Sequence, residues 1–292
     1  MCNNCAECFE STKTFDDIFA LRSASIAHRL LAGEGAASLF FYRQTPQVEC
    51  HFVACGFGGD GRLLVALPPQ FSAESFDEYG TYDVRFTIEK ESYSCSFPVV
   101  SASLHSLGVA HFYNSDEIIA MVENDFLPPR LKEMVMKGAM LLFIEASRFL
   151  IHDASGVTSV SRKDINKMHE QALKEARRGG DLFSSAWGSL NAYDVYSSCF
   201  TDFRSEDFLD VVYVEEHIGF VLGRSVLSDD IYYEDAAMCI DIDRTGMTFV
   251  RFLPKSGTVI FVPFTSSVSS SEELACQLRA LKIKFQEHSF MG

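Results

Sequence analysis

Apolar and polar residues in the first part of the chain follow a helical spacing and then a strand-like spacing. The apolar positions of residues 15–32 recur at near-helical intervals, and Gly33 and Gly35 end that helix. The runs that follow, such as ASLFFY, VECHFVACGF and RLLVAL, are short, and the sequence GGDG marks a hairpin turn. In YDVRFTIEK, apolar and polar residues alternate as in a strand with one buried face. This pattern predicts a long antiparallel sheet system, closed into a barrel and covered by a few helices.

The last third of the chain has a pattern of its own. Helical spacing over residues 205–227 predicts a helix, and residues 235–264 predict a three-stranded meander with two turns. A final helix begins with a capping box that joins Ser270 to Glu273.

The chain is therefore predicted to be an α+β protein with a barrel followed by a small α-β-β-β-α domain. The predicted divisions are a flexible tail, a barrel domain, a linker and a small C-terminal domain, at residues 1–14, 15–180, 181–204 and 205–292.

Composition and charge narrow the class of protein. Hydrophobic residues make up 47% of the 292 residues, which is enough for a packed core and excludes global disorder. The net charge of −15 argues against binding to duplex DNA or to anionic lipid, because both require neutralisation of phosphate charge. We find no apolar run of membrane-spanning length and no signal peptide. A cytoplasmic protein without a nucleic-acid or membrane partner is the expectation.

Several segments resemble a known architecture. The C-terminal part, with Glu216-His217, CIDIDRTGMTFVRF and VPFTSSVSSSEELACQLRALKIKF, resembles the small domain that follows the barrel in haem-utilisation proteins of the HugZ type. GDGRLLVALP and MLLFIEASRFLIHDASGVTSVSRKDI are similar to strands of the FMN-binding split barrel of the pyridoxamine-phosphate-oxidase type, in its actinobacterial subgroup. The resemblance covers most of residues 15–288. It implies a split barrel that pairs as a homodimer, with ligand sites at the subunit interface.

The same resemblance implies two ligands, haem and FMN. Flavin-binding members hold the phosphate with basic residues and hydroxyls after the second or third barrel strand. The corresponding stretch here, PPQFSAESFDEYGTYD, contains four acidic residues and no Lys or Arg. These charges would repel a phosphate, so FMN in the family's usual position is disfavoured.

Four residues are candidates for holding haem. Haem-degrading relatives use a histidine in the C-terminal tail, and this chain has His288 near its end; the alternative is a solvated histidine in a fraying terminus. His217 lies where relatives carry a histidine, next to Glu215 and Glu216, and its alternative is a surface histidine that hydrogen-bonds across the domain boundary. His28 and Arg29 offer a basic spot for a propionate or phosphate, against a capping or packing role. His51 and His111 would line a barrel pocket if they face inward.

The first eight residues, MCNNCAEC, carry Cys2, Cys5 and Cys8. Thiolates at this spacing reach a single metal ion, but three ligands leave a tetrahedral zinc or iron–sulfur site one ligand short. A metal or cluster at these cysteines and an oxidation-prone tail are both compatible with the sequence.

No catalytic signature is present, and no residue is assigned a catalytic role. The first functional hypothesis is a haem- or tetrapyrrole-binding protein of the HugZ type, either binding alone or degrading haem as a haem oxygenase-like oxidoreductase. The alternative is a non-catalytic interaction or regulatory protein on a cofactor-free split barrel. An FMN-dependent oxidoreductase is the third.

Overall fold

The structure is a computed structural model, which describes residues 15–71, 76, 80–92, 100–153, 155–177, 188–200, 220–226, 236–253 and 256–289. In chain order its elements are α1 (Phe15–Leu31), β1 (Ala36–Phe41), β2 (Val48–Phe57), β3 (Leu63–Leu67), β4 (Thr81–Glu91), β5 (Val100–Phe112), α2 (Ser115–Glu123), α3 (Pro129–Met136), β6 (Met140–Glu145), β7 (Arg148–Asp153), β8 (Gly156–Ser161), α4 (Arg162–Ala176), α5 (Gly188–Cys199), β9 (Phe220–Val226), β10 (Ala236–Asp243), β11 (Gly246–Leu253), β12 (Ser256–Pro263) and α6 (Ser271–Ser289).

The first six strands form a closed antiparallel barrel. Their order is β4-β1-β2-β3-β6-β5, and β5 pairs with β4 to complete the circle. The hairpin of β7 and β8 continues the sheet from β5, because β5 pairs with β6 over one half of its length and with β7 over the other. The predicted α+β class and the predicted closed barrel are confirmed.

The barrel interior is filled with side chains. Val84, Phe86 and Ile88 of β4 are fully buried, as their alternation in the sequence predicts. At the end where β1 and β5 finish, the rings of Phe41 and Phe112 stack at a centroid distance of 6.3 Å, and Phe76 and Tyr82 pack between and beside them. These side chains occupy the barrel interior at that end.

The C-terminal part of the first helix is buried between the barrel, α4 and the C-terminal sheet. Residues 22–31 are all buried, including Arg22, His28 and Arg29. Buried charges are costly unless they are paired, so this helix requires partners from several elements. Arg22 forms an ion pair with Asp153 of β7 and lies over the ring of Phe261 in the C-terminal sheet.

The C-terminal sheet has four antiparallel strands in the order β10-β11-β12-β9. The predicted meander is confirmed as β10, β11 and β12. The predicted helix over 205–227 is wrong for residues 220–226, which form β9 and pair with β12. The spacing of Val221, Leu222 and Val226 fits either element, and the pairing with β12 decides it. Residues 205–219 lie outside the described part of the chain.

One helix lies inside the segment predicted as a linker. Within residues 181–204, α5 packs against α6 and β10 and contributes Ala192 to the C-terminal core. At the start of α6, Glu273 accepts from the Ser270 backbone N–H at 3.3 Å and donates its own N–H to Ser270 Oγ at 3.2 Å, which confirms the predicted capping box. The boundaries of the domains stay a prediction.

A β-bulge in β10 lies where the C-terminal sheet contacts helix α1. Cys239 pairs with Phe249 and Asp241 with Thr248, so Ile240 is the extra residue and the strand changes phase there. After the bulge, Ile242 enters the C-terminal core, while Asp241 meets Arg29 of α1. The bulge thus aims a carboxylate at a helix of the barrel domain.

Candidate ligand-binding face

The outer surface of β1, β4, β5, β7 and β8 brings two histidines and an arginine close together. Residues of these strands that alternate with the buried ones point outward. We call the following outward residues the histidine face: Phe40, Arg85, His105, Leu150, His152 and Val157.

Strand register brings the two histidines of this face together. His105 of β5 lies opposite Leu150 of β7, and Ser103 lies opposite His152. His105 and His152 are therefore diagonal neighbours on adjacent strands, a spacing at which rings meet. Their ring centroids are 4.9 Å apart, and the two planes are nearly perpendicular at 85°.

The environment favours a neutral imidazole at His105. Partial burial is the largest effect and lowers the pKa of His105. His152 and Arg85 lower this pKa further, whereas Glu89 raises it. Its Nε2 lies 3.3 Å from Ser103 Oγ, which holds the ring in place. A neutral imidazole is the form that binds a metal through its lone pair, so the environment of His105 favours ligation.

Cationic and apolar groups surround the pair. The guanidinium of Arg85 lies 4.9 Å above the ring of Phe40, an arrangement typical of a cation–π contact. Leu150 is 43% exposed and Val157 is 62% exposed, and Leu107 on the same side of β5 is 65% exposed. The face thus offers histidine ligands, an arginine and exposed apolar surface together.

His28 and Arg29 lie at the buried C-terminal end of α1. Nε2 of His28 is 3.3 Å from Nδ1 of His169, and its ring stacks on Phe57 at a centroid distance of 5.5 Å. Arg29 donates to both carboxylate oxygens of Asp241. An anionic ligand would have to displace that carboxylate to reach Arg29, and a ligand-binding role for the two residues stays a prediction.

The other candidate residues are placed as follows. His51 is exposed on the outside of the barrel, while its neighbour Cys50 is buried, as alternation predicts. His111 also lies outside, stacked on Phe143 at 4.6 Å. Neither histidine lines the barrel interior. His217, the side chain of His288, and Cys2, Cys5 and Cys8 lie outside the described part of the molecule, and their ligand and metal roles stay predictions.

Two thiols of the barrel strands are unreactive. Burial, aided by Glu49, raises the pKa of Cys50 to about 12, and burial, against a smaller effect of Arg130, does the same for Cys55. Such thiols stay protonated and behave as small apolar side chains.

The described residues contain no group of three or more His, Cys, Asp or Glu side chains that converge on a metal position. Haem iron differs from zinc in this respect, because the macrocycle supplies four ligands and the protein needs to supply only one or two. None of the described helices is long and apolar enough to cross a membrane.

His105 and His152 are absent from the candidates that the sequence suggests. Each stands at an outward position directly after a buried apolar residue: Leu104 precedes His105, and Ile151 precedes His152. Alternation alone could have placed each histidine outside. Their proximity depends on the register of β5 with β7, and no short stretch of the sequence determines that register.

Comparisons with known proteins give distant likenesses. No protein-family model and no curated protein matches the chain. Among solved structures, it is similar to a haem-binding protein from Mycobacterium smegmatis, at 14% identity and a TM-score of 0.48, over 90% of this chain and 98% of that chain. It is also similar to a protein of unknown function from Agrobacterium tumefaciens, at 11% identity and a TM-score of 0.37, over 89% and 94% of the two chains. Both likenesses are too distant to assign a ligand or an activity.

Proposed function

We propose that this chain is a haem-class tetrapyrrole-binding protein of the HugZ type, built on a split barrel, and that it binds its ligand on the histidine face. The observation that carries the proposal is the pair formed by His105 and His152, whose rings meet at 4.9 Å beside exposed apolar residues. One of the two imidazoles would ligate the iron, and the lowered pKa of His105 keeps its lone pair available at neutral pH.

The neighbours of the pair match the rest of such a ligand. A tetrapyrrole has an apolar ring and carboxylate side chains, so it needs apolar surface and a cation at its edge. Leu150 and Val157 supply exposed apolar surface, and Arg85 supplies a guanidinium held over Phe40. We propose binding as the activity of this face, because ligation and anchoring are what these side chains supply.

The histidine face is open, so it covers one side of a flat ligand. A second copy of the chain would cover the other side and would bury Leu107, Leu150 and Val157, which are at least 43% exposed in the single chain. We therefore propose a homodimer through this face, with the ligand between the copies. A cytoplasmic location belongs to the same proposal, since the buried Cys50 and Cys55 are suited to a reducing compartment.

A second candidate function is a cofactor-free interaction protein. The exposed apolar residues that favour it are the same Leu107, Leu150 and Val157, because an apolar patch on a sheet also suits a protein partner. On the histidine face the FMN hypothesis has no comparable support.

Hemin titration of the purified protein tests the proposal. We expect a Soret shift that saturates, and we expect it to be lost or displaced in the double variant His105→Ala, His152→Ala. The matched control is His51→Ala, an exposed histidine on β2 of the same barrel, which should titrate as the wild type does. The variant His288→Ala should also retain the shift.

Each other outcome is informative. No Soret shift in the wild type refutes haem binding and leaves the interaction protein as the better hypothesis. A shift that His288→Ala removes and the double variant keeps would transfer the ligand role to the tail. Protein that purifies yellow would favour the flavin hypothesis. Loss of the Soret band when ascorbate is added in air would show that the chain degrades haem as well as binding it.

A further inference from the structure

A pocket of about 560 Å³ lies on the barrel surface between the β2–β3 hairpin, the turn from β6 to β7 and the start of α4. Arg62 and Arg162 are its two cationic lining residues, and Leu107 and Phe143 supply apolar wall. Glu145 is its acidic lining residue. The pocket is distinct from the histidine face, with which it shares only the border at Leu107.

Arg162 has an incomplete set of partners in this pocket. Its Nη2 donates to the carbonyl of Gly61 at 2.6 Å, and its guanidinium lies 5.9 Å from the ring centre of Phe57. Its Nη1 is buried, and no hydrogen-bond partner is present for it among the described residues. A buried donor without an acceptor costs about 1–3 kcal/mol, and more when the donor is charged.

The charge of Arg162 is likewise poorly compensated. Burial lowers its pKa, and among the described residues Asp60 is the carboxylate that acts against this change. That carboxylate is already engaged, since Oδ2 of Asp60 lies 3.0 Å from Nε of Arg62. The neighbouring His169 does not compensate the charge of Arg162. Burial lowers the pKa of His169, and the positive charge of Arg162 lowers it further.

Arg62 lies next to Gly61 and presents a second guanidinium to the same pocket. It is half exposed, lies 4.9 Å over the ring of Phe143 and donates to the hydroxyl of Tyr113 at 3.4 Å. An arginine stacked on an aromatic ring keeps its outer N–H groups directed for in-plane acceptors. Two arginines at one apolar pocket are an arrangement that suits carboxylate or phosphate recognition.

We propose that this pocket binds a small organic oxyanion, whose carboxylate or phosphate group contacts Arg162 and Arg62 and whose apolar body rests on Phe143. Binding would give the charge of Arg162, which lines the pocket, a counterion. The site is independent of the histidine face and goes beyond the proposed tetrapyrrole binding.

The negative groups nearby are compatible with such a ligand. Asp60 is paired with Arg62, and the carboxylate of Glu145 is 68% exposed, 3.6 Å from Nε2 of His111. An exposed carboxylate on a flexible side chain turns toward water at little cost. Glu145 would select against ligands with several negative charges on the body that faces it.

Calorimetric titration of the full-length chain with sodium benzoate and, separately, with inorganic phosphate tests the site. Benzoate carries both the oxyanion and an apolar body, whereas phosphate carries the oxyanion alone. We expect saturable benzoate binding at millimolar concentration that weakens about tenfold or more in Arg162→Gln, because a charged hydrogen bond is lost. Arg177→Gln, an exposed arginine at the other end of α4, is the matched control and should bind as the wild type does.

The benzoate and phosphate titrations distinguish a site for apolar carboxylates from a general oxyanion site. Binding of benzoate alone identifies a carboxylate with an apolar body, and binding of both probes with the same dependence on Arg162 identifies a general oxyanion site; either result supports the proposal. If Arg162→Gln unfolds, Arg62→Gln replaces it, since that side chain is half exposed. No binding of either probe, or binding that both arginine variants leave unchanged, overturns the proposal. These results do not depend on hemin titration, so the oxyanion site and the tetrapyrrole site are tested separately.

Discussion

Arg29 of α1 and Asp241 of β10 form a buried bidentate ion pair that joins the barrel to the C-terminal sheet. Nη2 of Arg29 lies 2.8 Å from Oδ2 of Asp241, and Nη1 lies 3.1 Å from Oδ1. The ammonium of Lys90 lies 2.5 Å from the same Oδ1 and 2.6 Å from Oε1 of Glu34. Burial alone would raise the pKa of Asp241, but Arg29 and Lys90 together outweigh it and hold that pKa well below its usual range. The carboxylate therefore stays charged between two buried cations.

Loss of this carboxylate should destabilise the whole chain. Asp241→Asn keeps the shape of the side chain but removes the carboxylate between Arg29 and Lys90, while Glu34 and, more distantly, Asp243 remain near these buried cations. We expect a loss of about 3–5 kcal/mol in the free energy of unfolding, the range for breaking a buried pair by removing one partner. Urea denaturation followed by circular dichroism measures it.

The control for this variant is the exposed pair of Asp125 and Lys132, whose atoms lie 2.8 Å apart with the carboxylate 85% exposed. Asp125→Asn should change stability little, because water screens an exposed pair. Equal effects of the two substitutions would contradict the role assigned to Asp241.

The buried His28 should make the chain sensitive to mild acid. Burial, together with His169, Arg244 and Arg29, lowers the pKa of His28 from 6.5 to about 3. The folded state keeps the imidazole neutral, while the unfolded state takes up a proton below pH 6.5, so the stability from this group is complete above pH 6.5 and falls as the pH drops toward 3. At pH 5 the loss from His28 should be about 2 kcal/mol.

Comparison of wild type with His28→Gln at pH 7.5 and pH 5 isolates that loss. Glutamine keeps a polar group toward His169 and does not titrate. We expect the variant to be less stable at pH 7.5 but to lose less stability on acidification. Burial also lowers the pKa of the neighbouring His169, so some pH dependence should persist. Parallel pH dependence in the two proteins would show that His28 is not the titrating group.

Local patterns in the sequence predict much of this fold. The hairpin at Gly58–Gly61, the buried alternation of Val84, Phe86 and Ile88, and the capping box of Ser270 and Glu273 are all confirmed. Each depends on residues within a few positions of one another, so the sequence carries the necessary information.

The missed features depend on contacts between distant parts of the chain. Lys90 follows Ile88 in the inward phase of β4, and its ammonium is buried against Glu34 and against Asp241, which lies 151 residues away. Register likewise brings His105 to His152, and the bulge at Ile240 aims Asp241 at α1. The candidate site was missed for this reason, because its two histidines are unremarkable surface residues until β5 pairs with β7.

Gly108 lies where β5 passes from pairing with β7 to pairing with β6. A Cβ atom built there would lie 2.5 Å from the carbonyl oxygen of Glu145 and 3.0 Å from Cγ2 of Ile144. Gly108→Ala should therefore force strands β5 and β6 apart and destabilise the barrel by about 1–3 kcal/mol. Thermal unfolding measures it, with the exposed Ser159→Ala as control; an unchanged midpoint for Gly108→Ala would mean that the two strands separate without cost.

If the homodimer forms through the histidine face, a charged substitution on that face should convert the dimer to a monomer. Leu150 is 43% exposed at the centre of the histidine face, opposite His105, and a carboxylate there would be placed against its own copy in a symmetric contact. Sedimentation equilibrium at micromolar concentration should give a dimer for the wild type and a monomer for Leu150→Asp. Ile119→Asp is the control, because Ile119 is 54% exposed on α2, away from this face, and its substitution should leave the dimer intact. A wild-type chain that stays monomeric with and without hemin would rule out the shared ligand site, and a dimer that Leu150→Asp leaves intact would place the interface elsewhere.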